Sequence, residues 1–151
     1  MRKRAPYILL VAGAVLLDQI TKYLAGTFIN QAEPIKILPF IQLVNVKNVG
    51  AAFGIFKALG NNVFIALSVT AIVFIAIMLY KDRESSFSLS LILSGAIGNL
   101  IDRVFLGSVR DFIDISIGSY HWPAFNVADS CLTVGIFVLL LWGFRKKHHV
   151  S

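Results

Sequence analysis

Residues 62–80 read NVFIALSVTAIVFIAIMLY, an apolar stretch without a charged side chain. A helix needs about 20 such residues to cross a hydrocarbon core of about 30 Å, because each residue adds about 1.5 Å along its axis. Three further stretches have a similar length and composition, about Tyr7–Leu24, Phe87–Phe105 and Phe125–Phe144. The chain is therefore predicted to be an all-α membrane protein, a bundle of four transmembrane helices.

The composition of the whole chain agrees with a bilayer environment. Of its 151 residues, 57% are hydrophobic and 15% are charged, which is far from the balance of a soluble domain of this size. A single cysteine, Cys131, excludes an internal disulfide. The net charge of +6 comes mainly from the termini and does not form a basic stripe interleaved with aromatic residues. We therefore expect contact with membrane phospholipid and no binding of nucleic acid.

Two segments between the predicted spans have a different pattern. Residues 27–61 contain the short apolar runs Ile35–Leu38 and Phe40–Val44, which predict a small extracytoplasmic β platform on the membrane surface. Residues 106–124 form a second short excursion. The chain shows no repeat, low-complexity tract or linker, so residues 1–151 are predicted to form one domain.

The basic residues outside the spans are distributed unevenly between the two sides of the predicted bundle. With four spans, both termini lie on the same side. That side holds Arg2, Lys3, Arg4, Lys81, Arg83, Arg145, Lys146 and Lys147. The opposite loops hold Lys36, Lys47, Lys57 and Arg110. Positively charged loops resist translocation, so the termini are expected to be cytoplasmic.

The charged and amide side chains inside the spans gather at one depth. Such groups cost about 2.5–3.5 kcal/mol each when charged, so each needs a partner or a function. They are Asp18 and Lys22 in the first span, Asn99, Asp102 and Arg103 in the third, and Asn126 and Asp129 in the fourth. Given the expected orientation, all of them fall in the outer half of the membrane. The outer segments add Asn48, Asp111 and Asp114. This convergence predicts a functional site near the outer leaflet.

Structural roles for several of these residues remain open at this point. Asp18 with Lys22, and Asp102 with a basic neighbour, are equally consistent with ion pairs that neutralise each other between helices. Asn99 and Asn126 are also consistent with interhelical hydrogen bonds that only hold the bundle together.

Five ordered blocks of the sequence resemble the signature blocks of a known family. They are Asp18 with Lys22, NVGAAF at 48–53, GAIGNLIDR at 95–103, DFID at 111–114 and FNVADS at 125–130. In order and spacing they resemble bacterial lipoprotein signal peptidase, also called signal peptidase II. The resemblance covers nearly the whole chain, and five ordered blocks are far more specific than one short motif.

The resemblance implies an aspartyl endopeptidase of the bacterial inner membrane. Such an enzyme removes the signal peptide of a prolipoprotein just before a diacylglyceryl-modified cysteine. The matched positions imply that Asp111 and Asp129 form the catalytic pair. They also imply supporting or substrate-binding roles for Asn48, Gly50, Asn99, Arg103, Asn126, Asp18, Lys22 and Asp102. The expected partners are lipid-modified prolipoproteins, with no metal, no cofactor and a monomeric enzyme.

The chemistry expected of two aspartates is consistent with this implication. Two close carboxyl groups that share one proton can activate water and protonate the leaving group without a metal or a nucleophilic side chain. One residue departs from the family pattern, because Arg110 precedes Asp111 where an apolar residue is usual. A cation at this position is expected to lower the pKa of Asp111 or to contact a lipid phosphate.

Two other functions compete with the peptidase hypothesis. Asp102, Asp111, Asp114 and Asp129 could instead bind a hard cation in a metal-dependent lipid-headgroup transferase or hydrolase. The polar cluster could also belong to a small carrier subunit without enzymatic activity. Against a carrier, the cytoplasmic halves of the predicted helices lack a polar path across the membrane.

Overall fold

The structure is a computed structural model that describes residues 4–50, 60–81 and 85–148. Its four long helices are α1 (Ala5–Phe28), α2 (Asn61–Lys81), α3 (Ser86–Leu106) and α4 (Val127–His148). Each is long and apolar enough to span a membrane, so the predicted four-helix membrane fold is confirmed.

Helices α1 and α4 differ from their predicted limits, and α4 ends at His148 instead of near Phe144. Helix α1 continues to Phe28 instead of ending near Leu24. The N–H of Ile29 donates to the carbonyl oxygen of Ala25 and closes this last turn. Helix α4 begins at Val127, not at Phe125. The cause is local, since Phe125 pairs with the sheet and Asn126 caps the helix.

Helix α3 lies at the centre of the bundle. It packs against α1, α2 and α4, and α1 and α4 also contact each other. The close approach of α3 to α4 requires a glycine, because a Cβ on Gly95 would lie 2.3 Å from the carbonyl oxygen of Ala128. Among the described residues, no Cα atom of α2 lies within 8 Å of one in α1 or α4. A gap therefore separates α2 from α4.

A four-stranded antiparallel sheet covers one end of the bundle. Its strands, in spatial order, are β1 (Ile35–Leu38), β2 (Ile41–Asn48), β3 (Val109–Ile117) and β4 (Tyr120–His121). The predicted β platform is confirmed, and the described part of residues 27–61 contributes two of its strands, β1 and β2. The other two strands come from the second excursion, for which no strand was predicted. Charged residues at 110, 111 and 114 interrupt the apolar alternation of β3, which explains why its pattern is weak.

Strand β3 is joined to the start of α4. The backbone N–H groups of Phe112 and Ile113 donate to the Phe125 carbonyl at 3.0 and 2.9 Å, and the Phe125 N–H donates back to Ile113 at 3.0 Å. On the other edge of β3, Val46 and Asn48 of β2 pair with Asp111 and Val109. These contacts bring the middle of the sheet against the first turn of α4.

Candidate active site

Asn126 contacts both aspartates of the predicted catalytic pair. Its Nδ2 donates to Asp111 Oδ1 at 2.7 Å, and its Oδ1 accepts from the backbone N–H of Asp129 at 2.8 Å. In return, Asp129 Oδ2 accepts from the backbone N–H of Asn126 at 3.3 Å. This reciprocal pattern is that of a capping box, which fixes the first turn of α4. Asn126 therefore contacts the Asp111 carboxylate through its side-chain amide and the Asp129 carboxylate through its backbone N–H.

Two further asparagines hold the other oxygens of this pair. Asn48 Nδ2 donates to Asp111 Oδ2 at 3.0 Å, and Asn99 Nδ2 donates to Asp129 Oδ1 at 2.7 Å. Asn99 comes from α3, Asn48 from β2 and Asn126 from the residue before α4. Three separate parts of the chain therefore orient the two carboxylates. Asn99 and Asn126 also link elements directly, as one of the open alternatives suggested, because Asn126 Nδ2 donates to Asn99 Oδ1 at 3.3 Å.

The environment of Asp111 disfavours its charged form. Burial, followed by the neighbouring charge of Asp129, raises the pKa of Asp111 from 3.8 to about 6, although the hydrogen bonds from Asn48 and Asn126 oppose the shift. Arg110 is not among the groups that shift this pKa, so the first of its two expected roles is not observed. The Arg110 guanidinium lies against α1, where its Nη1 donates to the Lys22 carbonyl oxygen at 2.9 Å, and it does not face the carboxylate.

Asp18, Lys22 and Asp102 form a buried charged cluster between α1 and α3. Lys22 Nζ lies 2.9 Å from Asp18 Oδ2 and 3.4 Å from Asp102 Oδ2, and all three side chains are at most 3% exposed. Lys22 Nζ also donates to Asn99 Oδ1 at 3.0 Å, which orients the amide that holds Asp129. The cluster is thus an ion-pair network that also reaches the candidate active site.

The two acidic members of the cluster bind backbone N–H groups of the segments that carry Asp129 and Asp111. Asp18 Oδ1 accepts from the N–H of Ala128 at 2.8 Å, which satisfies a free donor in the first turn of α4. Asp102 Oδ2 accepts from the N–H of Arg110 at 2.9 Å, one residue before Asp111. The charged cluster therefore positions both chain segments that carry the aspartates.

One member of this network was missed in the sequence. Gln19 Nε2 lies 3.1 Å from Asp18 Oδ2, 3.3 Å from Asp102 Oδ1 and 3.1 Å from the Gly98 carbonyl oxygen. Its amide bridges α1 and α3. A polar amide beside Asp18 in an otherwise apolar span was an available signal, because such groups need partners inside a membrane.

Arg103 lies near the pair without touching it. Its Nη2 donates to the Gly50 carbonyl oxygen at 2.8 Å, and its guanidinium carbon lies 4.4 Å from the centroid of the Phe64 ring. Its Nη1 is buried and has no hydrogen-bond partner among the described residues. The Gly50 N–H in turn donates to Asn48 Oδ1 at 3.1 Å. The remainder of that sequence block, residues 51–53, lies outside the described residues.

The four aspartates considered as metal ligands do not converge. Asp114 Oδ2 instead accepts from Gln42 Nε2 and lies 2.8 Å from His121 Nδ1, on the part of the sheet away from Asp111. Asp102 Oδ2 contacts Lys22 Nζ and accepts from the backbone N–H of Arg110. Within residues 4–50, 60–81 and 85–148, no three His, Cys, Asp or Glu side chains are grouped as metal ligands would be. This arrangement gives the metal-dependent hypothesis no support.

A cavity of about 990 Å³ opens beside the aspartates, between α2, α3 and α4 and below the sheet. Asp129 and Asn99 line it, whereas Asp111 does not and is only 2% exposed. Most of the other lining residues are apolar or aromatic, including Phe64, Leu67, Ala96, Leu132, Trp122 and Phe125. The pair therefore borders an apolar chamber with one carboxylate at its wall.

Comparison with known proteins identifies the family. The family model described as signal peptidase (SPase) II matches residues 10–145. This chain belongs to the signal peptidase II family. A lipoprotein signal peptidase of Thermodesulfovibrio yellowstonii is 47% identical over 132 residues, which cover 87% of this chain and 90% of the relative. One of Francisella tularensis subsp. novicida is 38% identical over 159 residues, covering 97% of each chain.

Solved structures agree with this membership. A bacterial membrane enzyme solved by the in meso method at 2.3 Å resolution has a TM-score of 0.90 and 31% identity, covering 97% of this chain and 92% of its own. A second, solved at 1.9 Å, has a TM-score of 0.82 and 33% identity, covering 91% of each chain. The signal peptidase II chain described here is thus a multi-pass membrane enzyme of the aspartic peptidase class.

Proposed function

We propose that this chain removes the signal peptide from lipid-modified prolipoproteins by cleaving just before the lipidated cysteine, with Asp111 and Asp129 as the catalytic pair. The observation that carries the assignment of residues is the contact of Asn126 with both aspartates beside an apolar cavity. The substrate follows from the relatives, which are named lipoprotein signal peptidases.

The proposed reaction uses one proton shared by the pair. One carboxylate accepts a proton from water as the oxygen attacks the peptide carbonyl carbon, while the other carboxyl group donates its proton to the carbonyl oxygen. When the tetrahedral intermediate collapses, the protonated carboxyl group donates its proton to the leaving amine, and the other carboxylate accepts a proton from a hydroxyl group of the intermediate. The pair thus returns to its starting protonation. The raised pKa of Asp111, at about 6, brings its protonation closer to neutral pH than that of an ordinary aspartate, which favours a pair that shares one proton.

The cavity suits a substrate that is embedded in lipid. Its wall is mainly apolar, and the gap between α2 and α4 would allow a signal peptide and its acyl chains to approach from the bilayer. Arg103 lines the same cavity, and its buried Nη1 has no hydrogen-bond partner among the described residues. In this proposal the side chain turns when substrate enters, and Nη1 donates to a substrate carbonyl oxygen. In this proposal Asn48, Asn99 and Asn126 orient the carboxylates, not the substrate.

The proposed location is the bacterial inner membrane, with both termini in the cytoplasm and the active site at the outer leaflet. The excess of basic residues at the termini and around Lys81 supports this orientation. The sheet and the aspartates lie at the opposite end of the helices. We also propose that the enzyme works as a monomer in contact with phospholipid, since one chain supplies both aspartates and their amide partners.

A cleavage assay on one lipidated prolipoprotein, followed by gel shift, tests this function. Asp111→Asn and Asp129→Asn should each lower cleavage by at least about 1,000-fold, because an amide can neither accept the proton of water nor return it. The double variant should be no slower than either single variant, since the two residues act as one unit. A chelator should leave the wild-type rate unchanged.

Asp114→Asn is the matched control. It is three residues from Asp111 in the same strand but binds Gln42 and His121, so it should retain substantial activity. Loss of cleavage in Asp114→Asn together with survival in Asp111→Asn would refute the assignment. Inhibition by a chelator that added metal reverses would favour the metal-dependent alternative instead.

A further inference from the structure

Arg110 occupies a groove on α1 that exists only because residue 26 is glycine. Its guanidinium lies directly over Gly26, where an added Cβ would lie 2.2 Å from both Arg110 Cζ and Nη1. In this position, Arg110 Nη1 donates to the carbonyl oxygen of Lys22 at 2.9 Å, one helical turn before Gly26. Arg110 and Gly26 therefore form a matched pair across two distant parts of the chain.

The main chain of Arg110 is held as firmly as its side chain. Its N–H donates to Asp102 Oδ2 at 2.9 Å, and its carbonyl oxygen accepts from Asn126 Nδ2 at 3.3 Å. The next residue in the strand is Asp111. Three contacts, to α3, to the start of α4 and to α1, thus converge on the residue that precedes a proposed catalytic carboxylate.

Lys22 connects Arg110 to the second aspartate of the pair, Asp129, through Asn99. Its carbonyl oxygen accepts from Arg110, and its Nζ donates to Asn99, which holds Asp129. One residue of α1 therefore contacts a neighbour of each aspartate. A shift of α1 at this point would move both sides of the pair together.

Fold stability alone does not account for the Arg110 and Gly26 pair. Arg110 Nε is buried and has no hydrogen-bond partner among the described residues, which is unfavourable for a guanidinium. Gly26, in the last turn of α1, also forms a helix less readily than alanine would. An apolar side chain packed on alanine would avoid both costs, so the observed pair points to a requirement other than packing.

We propose that Arg110 is a positioning residue whose packing on Gly26 fixes the position of Asp111 relative to Asp129. Arg110 touches neither the substrate nor the reacting atoms in this account. It acts through the strand, by tying the residue before Asp111 to the backbone of α1. The inference rests on the proposed function, because it assigns a role in the rate of that cleavage.

The test compares kcat and KM for cleavage of a lipidated prolipoprotein by full-length variants. Gly26→Ala should displace the flexible guanidinium without unfolding α1, since alanine is the better helix former. Its kcat should fall about 10-fold, equivalent to about 1.4 kcal/mol, while KM stays close to that of the wild type. Arg110→Met should show the same fall, and the double variant should be no slower than either single variant.

Gly13→Ala is the matched control in the same helix. A Cβ on Gly13 would have no atom within 4 Å, so this variant should cleave at the wild-type rate. Cleavage by the wild type and by Gly13→Ala supports the proposed function whatever Gly26→Ala does. On that background, an unchanged kcat in Gly26→Ala, additive losses in the double variant, or a change confined to KM would each overturn the positioning role.

Discussion

At the scale of single residues, Asn126 is the point on which the candidate site depends. One side chain caps α4, contacts Asp111 and lies beside Asn99, whose own amide holds Asp129. A carboxylate pair needs such fixed donors, because two close negative charges otherwise repel each other and separate. Loss of Asn126 should therefore affect the arrangement of the two carboxylates more than the binding of substrate.

Asn126→Ala and Asn99→Ala should lower kcat by about 10- to 1,000-fold, or about 1.4–4 kcal/mol of transition-state stabilisation. Asn126→Ala should also lower the melting temperature, since loss of an N-cap costs about 0.5–2 kcal/mol. Asn126→Ser separates the two effects. Serine can still cap α4 but is too short to reach Asp111, so stability should return while kcat stays low. Wild-type kcat in folded Asn126→Ala would show that the amide only supports the fold.

The raised pKa of Asp111 makes a prediction about stability and pH. Because the pKa is about 6 in the folded protein and 3.8 in the reference state, the folded protein binds the proton more tightly. The stabilisation from that proton is complete below pH 3.8 and is lost as the pH rises through about 6. Asp111→Asn carries no such charge. The melting temperature of Asp111→Asn relative to the wild type should therefore increase between pH 5 and pH 8, measured in detergent, and a constant difference would contradict the shift.

At the scale of elements, the β3–β4 hairpin forms part of the cavity wall. Tyr120 and Trp122 line the cavity, and His121 between them contacts Asp114 at 2.8 Å. Asp114 in turn accepts from Gln42 of the neighbouring strand β2. Asp114 thus links His121 of β4 to Gln42 of β2, apart from Asp111 and Asp129. Loss of this link should affect substrate binding more than the rate of cleavage.

His121→Ala should raise KM by about 2- to 10-fold, the effect of one hydrogen bond of about 0.5–1.5 kcal/mol. Its kcat should change little, because Asp111 and Asp129 keep their amide partners. Ser119→Ala, in the exposed turn of the same hairpin, serves as the control and should leave both constants unchanged. A fall in kcat without a change in KM would place His121 in the chemistry and contradict this interpretation.

At the scale of the whole molecule, the open side of the bundle and its orientation determine how a substrate could reach the site. Among the helices of the described residues, α2 packs against α3 and not against α1 or α4, and the cavity extends from the gap between α2 and α4 to Asp129. The sheet lies over the same end of the bundle as the aspartates. This arrangement is useful for a lipid-modified substrate only if that end faces the compartment into which lipoproteins are exported.

The orientation can be tested with single cysteines in a Cys131→Ser background. Ala32→Cys and Ser119→Cys, both at exposed positions near the sheet, should react with a membrane-impermeant thiol reagent in intact cells. Lys81→Cys, exposed at the opposite end of α2, should react only after the membrane is permeabilised. Labelling of Lys81→Cys in intact cells would reverse the orientation and move the site to the cytoplasmic side.

The four spans, and the gathering of the polar residues towards one end of them, were predictable from the sequence alone. Hydropathy over about 20 residues reflects the thickness of the bilayer, so span number and approximate limits are local properties of the chain. The same holds for the level of Asp18, Asn99 and Asp129 in the bundle, since each is set by its place along one helix. The five ordered blocks added the family and named the two aspartates, although no spacing along the chain could show that they meet.

Only the tertiary structure decided how these residues face one another. Asn48 contacts Asp111 and Asp18 caps the helix of Asp129 because the sheet and the helix packing join segments that are 63 and 110 residues apart. The direction of Arg110 follows from the pleat of β3, which turns it towards α1 while Asp111 faces Asn126. The strand itself was missed because the charged residues needed at this site hide its apolar alternation, and such a strand forms only once its partner β2 and the start of α4 supply its hydrogen bonds.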